Sequence, residues 1–186
     1  MADVQIKGLQ QLYEALQQLP VKLEQNVMRG ALRAGVKVLE AEVKQGVPVA
    51  PPSEKNARLY GGRQGLLRDS VRISVKARRG TITASVKAGG KVKKGGGDAY
   101  YARFVEFGTA AHFIKAKNAK GLSLNGAVFR GVMHPGARPK PFMRPAFDTK
   151  HTSAAEAARE YIRARLATKH GIDVPGPGSE LDDDTP

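Results

Sequence analysis

The spacing of apolar positions changes along this chain, and the changes predict helices at both ends with β-structure between them. Over residues 8–19, apolar side chains recur every three or four positions, as on one face of a helix. Pro20 ends that helix, and residues 21–45 carry a second helical stripe. The stripe consists of Leu23, Val27, Ala31, Ala34, Val38 and Ala41.

After the second helical stripe, the apolar residues change from helical spacing to alternation with polar residues. Val71, Ile73 and Val75 alternate with polar residues, and after a turn at Arg79-Gly80 the alternation resumes. This pattern predicts a β-hairpin over residues 70–88. Residues 100–107 have helical spacing, although their aromatic content leaves a strand as the alternative.

The remainder divides into a long excursion and a last helix. In residues 110–134 only the segment 128–132 is strand-like. Residues 146–169 are expected to form the final helix. Its inward face is expected to consist of Phe147, Ala154, Ala157, Ala158, Tyr161, Ile162 and Leu166. The fold class predicted is α+β, with amino-terminal helices and a carboxy-terminal helix packed on one antiparallel sheet, and with long loop arms.

The chain of 186 residues is long enough for one domain with a sizeable core. We expect that domain over residues 1–170, with flexible loops at about 46–65, 89–98 and 110–134. The last segment, 171–186, is acidic and rich in proline and glycine. It is expected to be disordered on its own.

Two separated blocks stand out from this periodic background. Residues 100–109 read YYARFVEFGT, an aromatic run that stops at Gly108-Thr109. Residues 138–147 read RPKPFMRPAF, where prolines hold the chain extended until Pro145 and a helix can begin afterwards.

Together these blocks resemble the tail-completion proteins of long-tailed bacteriophages, also called head–tail joining or neck proteins. That family has a Tyr-Ala-x-Phe-Val-Glu-Phe-Gly-Thr block and, further on, a Pro-Phe-Met/Leu-Arg-Pro-Ala block before its last helix. Residues 8–16 and 65–71 resemble the family's opening helix and its turn into the sheet. The likeness therefore spans roughly residues 8–166, in the family's order.

The resemblance implies a structural protein of the virion neck. It suggests a ring of six subunits, with twelve as the alternative near the portal, in contact with head-completion and tail-terminator or tail-tube proteins. It also marks signature residues for packing within and between subunits. They are Tyr101, Phe104, Glu106, Phe107, Gly108, Thr109, Pro139, Pro141, Phe142, Arg144 and Pro145.

Roles within the subunit can be assigned from the residue types. Tyr101, Phe104 and Phe107 are expected in the core, and Phe142 with Met143 is expected to anchor the chain's end on the sheet. Glu106 lies between apolar residues. A catalytic acid is one interpretation; an ion pair with Arg103 or Arg144, or a backbone cap, is the other.

The charge leaves a second function open. The formal net charge is +14, and setting aside five carboxylates in residues 171–186 raises the rest to +19. Such a balance attracts nucleic acid, so a non-enzymatic basic nucleic-acid-binding protein is the alternative. The glycine-rich loop with Lys91, Lys93 and Lys94 is a candidate contact for DNA or a neighbouring subunit; a solvated loop is the other interpretation.

Catalytic and metal-binding motifs are not found in the sequence. It has no cysteine, no His-Glu-x-x-His spacing and no Gly-x-Ser-x-Gly. His134, before Pro135, is expected to be a turn residue. We therefore expect no enzyme and no cofactor, although a pocket around Glu106 and His112 would revive a hydrolase.

The amino terminus lacks a signal-peptide pattern, and no apolar run approaches the roughly 20 residues of a membrane span. Synthesis in the host cytoplasm and a place in the virion, without a membrane, are the expectations.

Overall fold

The computed structural model describes Tyr13, Glu14, Gln17 and residues 21–51, 64–92, 97–116, 121–124 and 126–171. The helices in these ranges are α1 (Val21–Gly46), α2 (Leu66–Asp69), α3 (Ala102–Phe107) and α4 (Met143–His170). The strands are β1 (Arg72–Arg78), β2 (Thr81–Lys87), β3 (His112–Lys115), β4 (Leu122–Leu124), β5 (Ala127–Phe129) and β6 (Gly131–His134). The predicted α+β class is confirmed.

The strands of the described ranges form three two-stranded antiparallel sheets, β1-β2, β3-β6 and β4-β5. The single sheet expected from the sequence therefore differs from the arrangement found. Each pair is closed within a short stretch of chain, so local antiparallel pairing satisfies its backbone groups without a shared sheet.

Contacts group the chain into two compact units. The first comprises Met1–Val47, Val71–Lys87 and Arg144–Pro186, and the second comprises Pro48–Ser70 and Ala88–Met143. One domain over residues 1–170 stays a prediction.

In the first unit, α1 lies against the β1-β2 hairpin and shares a hydrophobic core with α4. The core consists of Val27, Ala31, Ile162 and Leu166, and Leu166 is fully buried. The two helices come close at Gly35. A Cβ at this position would lie 2.6 Å from the carbonyl oxygen of Ala154, too near for any residue with a side chain. Removal of apolar surface from water makes this core the main stabilising feature of the unit.

The α1 helix matches its predicted range, but its buried face is wider than the predicted stripe. Leu23 and Ala41 are exposed, whereas Val36 and Val43 are buried. The reason is that α1 has neighbours on more than one side, the hairpin and α4. A single 3.6-residue stripe describes contact with one neighbour only.

The predicted hairpin is confirmed, with Arg72 opposite Lys87 and Arg78 opposite Thr81. The turn is Arg79-Gly80, where both residues have positive φ, 50° and 79°. Such a turn has the twist that antiparallel strands require.

The last helix starts three residues before the predicted Ala146, at Met143. Pro145 did not delay it, since a proline within the first helical turn removes no intrahelical hydrogen bond. Ala154, Ile162 and Leu166 are buried as predicted, but Phe147 is 57% exposed. The inclusion of Phe147 in the inward face was wrong.

In the second unit, the described part of the excursion over residues 110–134 contains four short strands. The prediction that 128–132 is the only strand-like segment of this excursion was therefore wrong, whereas the flexibility of the loop stays a prediction. Arg130 interrupts that segment, so its ends belong to β5 and to β6. Strands of three or four residues are too short for an alternation pattern to be recognised.

Several predictions concern residues outside the described ranges. The helix over 8–19 is described only at Tyr13, Glu14 and Gln17, which are helical. Most of the loop at 46–65, the lysines Lys93 and Lys94, and the acidic segment after Gly171 also lie outside them.

Candidate functional site

The first signature block folds as the short helix α3 and stops at Gly108, so the helical interpretation of residues 100–107 is confirmed and the strand is excluded. Gly108 has φ 73° and ψ −174°, a conformation that essentially only glycine adopts. A Cβ at this position would lie 2.5 Å from the carbonyl oxygen of Ala137 and 2.9 Å from the nitrogen of Pro139. Glycine at position 108 therefore ends α3, and its lack of a side chain lets the backbone of the second block pass close to it.

Thr109 binds the segment that precedes the second block. Its N–H donates to the carbonyl of Ala137 at 2.9 Å, and the N–H of Ala137 donates back at 3.1 Å. The Ala137 N–H also lies 2.9 Å from Oγ1 of Thr109, which accepts from it. The threonine hydroxyl thus caps a backbone donor, and the two segments form an antiparallel bridge.

Three further hydrogen bonds join the two segments. The N–H of Lys140 donates to the carbonyl of Val105 at 2.8 Å. Oε2 of Glu106 accepts from the N–H of Phe142 at 2.7 Å and from that of Met143 at 3.0 Å. The carboxylate therefore caps the first free donors of α4, where the helix dipole favours a negative charge. The backbone cap expected for Glu106 is therefore present in the structure.

We call residues 105–109 together with 137–143 the signature junction. The two blocks are far apart in sequence but meet through three backbone–backbone hydrogen bonds and three hydrogen bonds from backbone N–H groups to the side chains of Thr109 and Glu106. Phe142 is buried, while Pro139 and Pro141 are exposed and hold the second segment extended. Arg144 and Pro145 lie exposed in the first turn of α4. The junction explains why the blocks occur together.

The aromatic residues of α3 are displayed at the surface. Phe104 is 51% exposed and Phe107 is 67% exposed, while Tyr101 is half-buried. Their assignment to the core was wrong for the two phenylalanines. The buried face of this six-residue helix is provided by Ala102 instead. Apolar spacing could not distinguish the two faces, because both carry apolar residues.

The short strands of the same unit also expose large apolar side chains. They are Phe113, Ile114, Val128, Phe129 and Met133. Phe113 and Met133 face each other across the β3-β6 pair. Together with Phe104 and Phe107, these residues form what we call the apolar display. Single exposed apolar residues are ordinary, but the described part of this unit exposes nine large apolar side chains, these seven with Val49 and Tyr100, which makes it the candidate interaction surface.

The two histidines of this unit pair across the β3-β6 sheet. His112 and His134 lie in β3 and β6, directly opposite each other, with ring centroids 5.1 Å apart. His134 is therefore a strand residue, not the expected turn residue. Within the described ranges, no group of three or more His, Cys, Asp or Glu side chains could hold a metal ion.

The glycine-rich loop is closed at its base. Lys91 and Asp98 form an isolated antiparallel β-bridge through their backbones. The N–H of Val92 donates to the carbonyl of Gly97, and the N–H of Ala99 donates to the carbonyl of Gly90. Only Lys91 of the three candidate lysines lies in the described ranges.

Fold and site define a class: an α+β protein in which two separated sequence blocks pair at the end of a short helix that exposes two phenylalanines. Among its described helices, none has the length and apolarity to cross a membrane. The family model described as "Bacteriophage HK97-gp10, putative tail-component" matches residues 10–108, just over half of the chain. The chain therefore belongs to this family of phage structural tail components, and its place is in the virion. Neither the curated proteins nor the solved structures gave a match.

Proposed function

We propose that this tail component is a non-enzymatic neck protein, which forms a ring and joins the DNA-filled head to the tail. The proposal combines the family with the apolar display, the observation that carries it. The ring would have six subunits, to match tail symmetry, or twelve near the portal. Its other neighbours would be head-completion and tail-terminator or tail-tube proteins. Synthesis in the host cytoplasm would precede assembly.

The apolar display supports binding to protein. Phe104 and Phe107 present rigid aromatic area at small cost in side-chain entropy, which is the usual composition of interface anchors. Burying one such side chain contributes about 1.5–3 kcal/mol. A few anchors on each subunit would suffice to hold neighbours in a ring.

The signature junction supports a positioning role. The hydrogen bonds of Val105 and Glu106 fix the end of α3, so Phe107 projects from a rigid support. Preorganised anchors lose less entropy on binding. In this interpretation the signature residues act on assembly through Phe104 and Phe107.

Electron microscopy of particles from a phage with this gene disrupted tests the joining role. We expect filled heads beside separate, full-length tails. Normal infectious virions would overturn the proposal.

Complementation of that phage tests the surface. Phe104→Ser and Phe107→Ser together should leave the melting temperature of the purified subunit nearly unchanged, because both side chains are exposed. They should reduce infectious particles strongly. Phe147→Ser is the matched control, since Phe147 is equally exposed but belongs to the first unit. Equal titres for the double variant and the control would refute the role of the α3 surface.

A further inference from the structure

A row of cations runs along the outer surface of α1 in the first unit. Arg29, Arg33 and Lys37 are spaced four residues apart, and all three are exposed. On a helix this spacing places side chains on one face, and eight residues span about 12 Å. The three side chains line one open surface pocket together with Gly30 and Tyr161.

The hairpin turn extends this row. Arg78 and Arg79 line a second depression that also includes Arg29. Both arginines are exposed at the end of β1 and in the turn that follows. We call Arg29, Arg33, Lys37, Arg78 and Arg79 the cationic face.

Carboxylates do not neutralise this face. Among the described residues, none of the five cations is in an ion pair. The next acid along the row, Glu40, binds Lys44 at 2.9 Å, and Glu42 lies 3.9 Å from Lys150. Like charges four residues apart repel each other and destabilise a helix. A bound polyanion would remove that repulsion.

From these observations we infer that the cationic face binds the phosphate backbone of duplex DNA without sequence preference. Duplex DNA carries one charge per about 1.7 Å of axis, so the α1 row alone would face roughly seven phosphate charges. Guanidinium groups match phosphate oxygens in two-pronged hydrogen bonds, and four of the five cations are arginines. Contacts with phosphate alone carry no sequence information. This inference goes beyond the joining role and does not depend on ring formation.

Fluorescence anisotropy of a labelled 30-base-pair duplex, titrated with the full chain at 50–200 mM NaCl, tests the inference. The test variant is Arg29→Gln/Arg33→Gln/Lys37→Gln. The matched control is Arg68→Gln/Lys115→Gln/Arg130→Gln, which removes three exposed cations from the second unit. Circular dichroism verifies that both variants keep their helices.

The test variant should lose affinity by about tenfold or more, and its log–log salt slope should be smaller by about 2.7, three phosphate contacts at 0.9 each. The control should stay within about threefold of the wild type. Equal losses in both variants would overturn the inference, because net charge alone would then explain binding. So would no binding by the wild type, or displacement of the duplex by polyglutamate at equal charge concentration. Particle morphology tests the joining role separately, so the two proposals can fail independently.

Discussion

The backbone cap by Glu106 leads to the sharpest prediction about stability. Glu106→Ala removes the carboxylate that accepts from Phe142 and Met143, and leaves two donors at the start of α4 without this acceptor. A hydrogen bond to a charged group contributes about 1.5–3 kcal/mol net. Because the carboxylate is only half-buried, the lower figure applies to each bond. The expected loss is therefore about 3 kcal/mol.

For a chain of this size, each kcal/mol lowers the melting temperature by about 2–4 °C. Glu106→Ala should thus melt roughly 6–12 °C below the wild type, as measured by circular dichroism at 222 nm. Glu106→Gln keeps an oxygen acceptor but loses the charge, so it should lie about halfway. Hydrogen exchange at the amides of Phe142 and Met143 should accelerate in both variants.

Glu156→Ala is the matched control, since it removes an exposed carboxylate from the same helix, α4, away from its end. It should melt within about 1 °C of the wild type, as surface substitutions usually do. If the melting temperature of Glu106→Ala equals that of this control and its Phe142 and Met143 amides exchange at the wild-type rate, the cap does not stabilise the start of α4.

Two glycine substitutions test the close approaches. Gly108→Ala should destabilise by about 3 kcal/mol or more, because its Cβ would meet Ala137 and Pro139 at a backbone conformation that only glycine adopts. Gly80→Ala, also at positive φ but with nothing within 4 Å, should cost only about 1–2 kcal/mol in the same urea titration; equal costs would exclude the contact as the cause. Gly35→Ala should lower stability by about 1–2 kcal/mol in spite of the better helix propensity of alanine, whereas a gain of about 1 kcal/mol would mean that α1 and α4 separate readily.

The sequence by itself was enough to predict most of the local structure, namely individual helices, the hairpin and its turn. The range of α1 and the β1-β2 hairpin follow from periodicity and from the turn at Arg79-Gly80, because these depend on residues close in the chain. The short helix over 102–107 follows from spacing, and the family from two motifs that occur in order. In the same way, the glycine at position 108 was predicted as a sharp stop.

Burial was decided by tertiary structure. Phe104 and Phe107 are large apolar residues of the kind expected in a core, yet they lie at the surface. Ala102 occupies the inward face of α3, and this helix is too short to bury both of its faces. The partner of Thr109 is Ala137, a residue that no motif marks, since a backbone bridge depends on position and not on side-chain type. The cationic face likewise depends on the hairpin turn lying beside Arg29, which the helical pattern alone does not show. Sequence fixes which groups are available locally; packing over long separations selects which of them remain exposed to bind.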